Sequence, residues 1–312
     1  MNKNNFLKIS AIVLQLLFGL VFIFSAVSKI PTLEKFGWII VETTFFNWTI
    51  AEWLARILIG VELAIGLLFI LQLTNKIIFQ FSILLIIIFS GYLIAIMPMY
   101  GDGNCGCFGD VLPMSPKVSL IKNALLLLLL FFIYKLNFSI KFKFKNVIIS
   151  ILSILCLLFP FFKNPPESIY IYEKEEFKPA PIPLSILYNS KNNKKPTIEL
   201  RKGKHIISFM SLHCKFCKKA ATRMAIMYKK NPSLPFQIFY NGDSSALKEF
   251  FIETKAEKIP FTFFNGAEEF IKLNDGTALP TIKWVEDTTI IKTSNYLNFD
   301  EKEVLEWAKL HP

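Results

Sequence analysis

The sequence predicts an α-helical membrane bundle of about five spans, followed by a soluble α/β domain. The first observation is composition: 53% of the 312 residues are hydrophobic, and their excess lies in the first half. The second is length, because several apolar runs there are long enough to cross a bilayer. The third is a change of pattern beyond about residue 197, where short apolar runs alternate with helical periodicity. Cysteine usage then points to chemistry. Of five cysteines, four form two close pairs, Cys105-Gly106-Cys107 and Cys214-Lys215-Phe216-Cys217. Such pairs suit electron transfer between thiols and disulfides.

The apolar runs fall at 6–27, 51–71, 77–97, 118–134 and 147–162. The last two are near the short limit for a span. Ala26-Val27-Ser28 resembles a leader-cleavage site, but the run before it is long for a leader and reads as an uncleaved anchor. Residues 163–196 open with Lys163-Asn164-Pro165-Pro166, are rich in Lys, Glu and Pro, and read as a linker. A flexible chain of that length has a mean reach of roughly 30–35 Å. The expected division is therefore 1–162 membrane, 163–196 linker and 197–312 soluble domain. In the soluble domain, 205–212 reads as a strand, 214–230 as a helix, 236–240 as a strand and 244–254 as a helix. Residues 260–264 are a short strand or a loop, 281–285 and 289–292 a hairpin, and 300–310 a closing helix capped by Asp300.

The net charge is +11, yet no basic-aromatic motif accompanies it, which excludes a nucleic-acid partner. The lysines read as topology signals. Lys3, Lys8, Lys76, Lys135, Lys141, Lys143 and Lys145 fall on one side of the spans. Lys29, Lys35 and Lys117 fall on the other, with Glu34, Glu42, Asp102 and Asp110. The excess of Lys and Arg marks the cytoplasmic side. Five crossings then put the Cys105/Cys107 loop and the C-terminal domain outside, in one compartment where disulfides persist.

Cys214 and Cys217 follow a strand and open a helix. Unpaired N–H groups at the helix start, with Lys215, Lys218 and Lys219 nearby, stabilise a thiolate. Cys214, at the exposed end, is expected to attack, and Cys217 to resolve the mixed disulfide. The alternative is half of a zinc site, but only His205, His213 and His311 could complete it, and no metal is expected. A Cys105–Cys107 disulfide would close a small strained ring, which tends to accept electrons. Gly106 and Gly109 permit its tight backbone. Structural or unpaired loop cysteines are the bland alternative. Arg56 and Glu62 are charges inside a span, where they usually face the bundle interior. They read either as a structural ion pair or, with Lys29, as groups that steady a thiolate or a quinone oxygen. Cys156, alone in the fifth span, reads as a small buried apolar residue.

The strand–CxxC–helix order, followed by Leu279-Pro280-Thr281, resembles the thioredoxin superfamily over roughly 197–312. The resemblance implies that Pro280 is a cis-proline that lies against the active-site disulfide and presents a backbone edge to the substrate. His213 in place of the usual tryptophan, and the Lys-Phe dipeptide, depart from that pattern. The first half resembles the MauE/DoxX-like redox-associated membrane proteins over about 6–135. The residues are Ser25-Ala26-Val27-Ser28-Lys29, Glu62-Leu63-Ala64-Ile65-Gly66 and Gly103-Asn104-Cys105-Gly106-Cys107-Phe108-Gly109, with the fifth span as an extension. MauE is associated with maturing a disulfide-rich dehydrogenase subunit in methylamine utilisation; DoxX relatives suggest quinone-linked sulfur chemistry.

Together these imply a thiol–disulfide oxidoreductase of the bacterial cytoplasmic (inner) membrane. Electrons pass from extracytoplasmic client thiols to Cys214/Cys217, then to Cys105/Cys107 and a membrane quinone, with no covalently bound cofactor. The alternative is an accessory or maturation factor of the MauE type that docks a specific redox protein. A metal site joining all four cysteines would tie the halves together and leave the linker unexplained.

Overall fold

The computed structural model describes residues 3–101, 103–136, 138–140, 143–169, 177–190, 193 and 195–309. Asp102, Lys141, Leu310 and His311 lie outside the described residues, as does the side chain of Lys3. The chain forms two compact units, Met1–Ile169 and Tyr170–Pro312.

The first unit is helical: α1 Lys3–Lys29, α2 Leu33–Thr43, α3 Trp48–Ile70, α4 Lys76–Tyr100, α5 Pro116–Leu136 and α6 Lys145–Lys163. All but α2 are long and apolar enough to cross a membrane. Asn47 and Asn75 start α3 and α4, their side chains accepting from the amides of Ile50 and Ile78 at 2.9 Å. The outer faces expose Leu20, Ile88, Leu125 and Phe132, as lipid contact requires. Inside, Phe18 packs on Phe69, and Phe69 on Phe79, with ring centroids 4.5 and 5.3 Å apart. The polar interior residues include Lys29, Arg56, Glu62 and Asn123. The amphipathic α2 was not anticipated from sequence. It buries Leu33, Phe36, Ile40 and Val41 on one face and is too short to span.

One relation within this unit bears on function. Arg56, early in α3, donates to the carbonyls of Asn164 and Pro165 at 2.8 and 3.0 Å. Ser25 and Ser28, at the far end of α1, meet the Cys105–Gly109 loop. The loop and the end of α6 therefore lie at the same end of the bundle, the one where α1 stops and α3 starts.

The second unit is a thioredoxin-like α/β domain. Its strands are β1 Ala180–Pro181, β2 Lys204–Ser211, β3 Phe236–Asn241, β4 Phe261–Phe264, β5 Thr281–Glu286 and β6 Thr289–Ser294. They form one sheet in the order β1-β6-β5-β2-β3-β4. β2, β3 and β4 run parallel, while β5, β6 and β1 add antiparallel pairs. The helices are α7 Ser185–Asn189, α8 Lys215–Lys230, α9 Leu247–Thr254, α10 Glu268–Asn274 and α11 Glu301–Lys309. β2 is central and buried on both faces. Ile206 and Met210 join the core under α8, and Ile207 and Phe209 the core with Phe270 and Leu273. The 260–264 segment is a strand, β4, paired with β3.

The expected linker is corrected in part. Ala180 and Pro181 pair with Ile290 and Thr289, and Ile182, Leu184 and Leu187 are buried in the second core. Pro179, Pro181 and Pro183 break any apolar periodicity there, so the segment looks unstructured until a sheet face is available to cover it.

Candidate functional site

Each unit carries one dithiol. Cys214 is the N-cap of α8, and its Sγ accepts from the Cys217 amide at 3.2 Å. Cys214 is half-buried and Cys217 fully buried. Burial, followed by the hydrogen bond with Cys214, pushes the Cys217 thiol well up. That is the asymmetry expected of an attacking and a resolving thiol. The Leu279–Pro280 peptide is cis, and the Leu279 carbonyl oxygen lies 4.0 Å from Cys214 Sγ. Of the lysines expected to help, Lys218 is held by Glu253 at 2.7 Å, and Lys219 lies over the Phe216 and Tyr296 rings. Phe216 stacks on Tyr296 with centroids 5.1 Å apart. Tyr296 had no motif to reveal it, being far away in sequence.

The second dithiol sits in the loop after α4. Asn104 folds it, its Oδ1 accepting from the Gly106 amide at 2.9 Å and its Nδ2 donating to the Gly109 carbonyl at 3.1 Å. Gly106 and Gly109 have φ of +73° and +59°, which a side chain would strain. A Cβ on Gly109 would also lie 2.5 Å from the Ser28 carbonyl oxygen. The Cys105 and Cys107 sulfurs share a hydrogen bond at 3.0 Å, and Ser119 Oγ is 3.1 Å from Cys105 Sγ. Cys105 is buried and Cys107 half-buried. The bond from Cys107, then that from Ser119, pull the Cys105 thiol down to about 6 against the effect of burial. The same pairing, with burial, pushes Cys107 up.

Lys29 and Glu62, singled out from sequence, are brought together beside this loop as a buried ion pair at 2.6 Å. Lys29 also donates to Ser25 Oγ at 2.8 Å. Arg56 plays no part in this cluster. Its guanidinium serves the Asn164 and Pro165 carbonyls and that of Glu52, at 2.7 Å. A largely apolar cavity of about 240 Å³ is lined by both cysteines, Lys29, Glu62, Tyr92 and Lys122, among other side chains. Tyr92 shares a hydrogen bond with Thr43 at 2.8 Å. Lys122 lies 4.6 Å from the centre of the Phe108 ring. Sequence reasoning missed Lys122, although it is a charge inside a span, the same signal that flagged Arg56 and Glu62. Cys156 is buried in α6, as expected.

Fold and site define a class: a multi-pass membrane protein with a thioredoxin-like domain and a close cysteine pair in each unit. Residues 7–136 match the model of the family described as methylamine utilisation protein MauE. The whole chain is similar to Protein TlpB of Flavobacterium psychrophilum, 27% identical, with 95% of this chain and 94% of that one covered. A thioredoxin domain of a thiol-disulfide oxidoreductase from Bacteroides vulgatus is 12% identical and covers 36% of this chain and 80% of its own, with a TM-score of 0.29. A secreted Mycobacterium tuberculosis disulfide oxidoreductase is 16% identical, covering 36% and 84%, with a TM-score of 0.30. StoA from Bacillus subtilis is 21% identical, covering 34% and 83%, with a TM-score of 0.29.

Proposed function

We propose that this protein oxidises extracytoplasmic client thiols at Cys214/Cys217, passes the electrons to Cys105/Cys107, and delivers them to a membrane quinone. The observation that carries this reading is the position of the Cys105/Cys107 pair on the wall of an apolar cavity among membrane-length helices. At about 240 Å³ the cavity has room for a small ring. A quinone head group fits that size, with its tail left in lipid. Lys29 and Glu62 line the cavity as an ion pair and give a quinone ring a polar edge to face. Arg56 drops out of this role because it does not line the cavity and its guanidinium serves backbone carbonyls instead. The reaction balances as dithiol plus quinone giving disulfide plus quinol, with two electrons and two protons moved.

Orientation rests on the lysines. Lys8, Lys76, Lys135, Lys143 and Lys145 mark the cytoplasmic side, opposite the Cys105/Cys107 loop. Since α6 ends at the loop's end of the bundle, the soluble domain follows on the periplasmic side. An impermeant maleimide should label Cys214 in intact reduced cells; protection would reverse the topology.

The acceptor is tested with the full-length protein in detergent micelles, reduced and then mixed with a short-chain quinone. The expected result is two quinols formed per chain, as both dithiols drain through Cys105/Cys107, lost in Cys107→Ser. A dithiol that survives the quinone but is oxidised by a soluble disulfide would contradict the quinone step.

A further inference from the structure

We propose that Ser119 and Lys122 form a thiolate site for Cys105, so that the Cys105–Cys107 disulfide is opened at Cys107 and Cys105 is always the leaving group. The incoming thiol in the cell rests on the relay proposed above; the thiolate site itself does not.

Three observations support this. Exposure differs, with Cys107 half-buried and Cys105 at 2%, so an attacking thiol meets Cys107 first. Hydrogen bonding differs too, because Ser119 Oγ lies 3.1 Å from Cys105 Sγ. Finally, charge is placed to suit. Lys122 stands one turn beyond Ser119 on α5, at i+3, and lines the same cavity as both cysteines. The Phe108 ring, 4.6 Å from its ammonium, holds it there.

The groups facing the pair come from every neighbouring element. α1 brings Lys29 and α3 brings Glu62, and these neutralise each other at 2.6 Å. α4 brings Tyr92, whose hydroxyl is occupied by Thr43. The loop's own Asp110 is paired with Lys35 at 2.5 Å. Among the described residues, Lys122 stands in no ion pair, so its charge is the one left uncompensated at the site. Ser119 and Lys122 both act to lower the Cys105 thiol, after the larger effect of the Cys107 hydrogen bond.

The step balances. The Cys214 thiolate attacks Cys107 Sγ, the Cys214–Cys107 bond forms, the Cys105–Cys107 bond breaks, and the electron pair leaves on Cys105. Cys217 then gives up its proton and attacks Cys214 Sγ. The Cys214–Cys217 disulfide forms, and Cys107 leaves as a thiolate that takes up a proton. The lower-pKa sulfur is the faster leaving group, so the site also gives the exchange its direction of attack.

The test uses the full-length chain with Cys156, Cys214 and Cys217 changed to Ser, so that only the loop pair remains. With this pair oxidised, glutathione is added, the mixture acid-quenched, and the adduct mapped by mass spectrometry. The expected adduct is on Cys107; an adduct on Cys105 would overturn the assignment. With the pair reduced, thiolate absorbance is followed against pH. One thiolate should titrate near 6. Lys122→Met should raise that midpoint by about one pH unit or more, and Lys122→Arg should restore it. A Lys122→Met midpoint equal to the parent's would overturn the role of Lys122, and the Arg rescue separates charge from folding. If glutathione adds to Cys107 but Cys217→Ala chains form no Cys214–Cys107 adduct, the relay fails and this assignment stands.

Discussion

Ser25 Oγ lies 3.1 Å from the carbonyl oxygen of Cys107 and can donate to it. The same oxygen accepts from Lys29 Nζ at 2.8 Å and stands 3.1 Å from Glu62 Oε2, so its single proton serves either acceptor. The dithiol loop is thereby joined to the buried ion pair through one hydroxyl. Removing one partner of a buried pair leaves a charge without compensation, at a cost of about 3–5 kcal/mol. Glu62→Gln should therefore lower the thermal midpoint of the full-length protein in detergent and make Cys107 react faster with a small maleimide. Unchanged melting together with unchanged labelling would show that the pair does not support the loop.

Arg56 should behave differently, because it touches neither cysteine. Two of its three carbonyl contacts, those to Asn164 and Pro165, fasten α3 to the chain beyond α6. Arg56→Ala is expected to destabilise the bundle by about 2 kcal/mol, while leaving quinone oxidation of the loop dithiol unchanged in rate. A stable variant with a slowed reaction would return Arg56 to the redox site.

At Gly109 the expectation is steric. An alanine there combines a left-handed φ of +59° with a Cβ 2.5 Å from the Ser28 carbonyl oxygen. Gly109→Ala should displace the loop and leave Cys105/Cys107 reduced during turnover. The soluble domain, in a separate unit, should keep its melting transition and the reactivity of Cys214. Normal oxidation of the loop pair would show that the turn tolerates displacement.

How much of this was legible in the sequence follows from which forces are local. The spans were readable to within three residues at each end, 51 against Trp48 being the widest gap, because lipid imposes a length on each segment by itself. The CxxC strand–helix unit was readable because Cys214 caps its own helix. α2, α7 and α10 were not, since each is short and acquires its apolar partners only from distant elements. Leu187 of α7, for instance, is buried with Phe209 and Val285. The Lys29–Glu62 pairing joins two spans and has no sequence signature beyond the cost of isolated charge. Lys122 carried that same signature and was overlooked.

Burial sets an expectation for the order of events at the soluble site. Cys217 is fully buried and its thiol held high, so at neutral pH Cys214 should be the only one of this pair alkylated in the native protein. Cys217→Ala should trap a mixed disulfide on Cys214, because no resolving thiol remains. Cys214→Ala should trap far less. Equal adducts for the two variants on a non-reducing gel would reverse the roles of the two cysteines.

The central claim is that the two dithiols act in series, and the redox state of one when the other is disabled tests it most directly. In cells expressing the Cys107→Ser variant, alkylation with a mass-shifting reagent after acid quench reports the state of Cys214/Cys217. The relay predicts that this pair accumulates as dithiol during turnover, with the soluble domain still folded. A pair that stays as oxidised as in the parent would contradict it, because electrons would then be leaving Cys214/Cys217 by a route that does not include Cys105/Cys107.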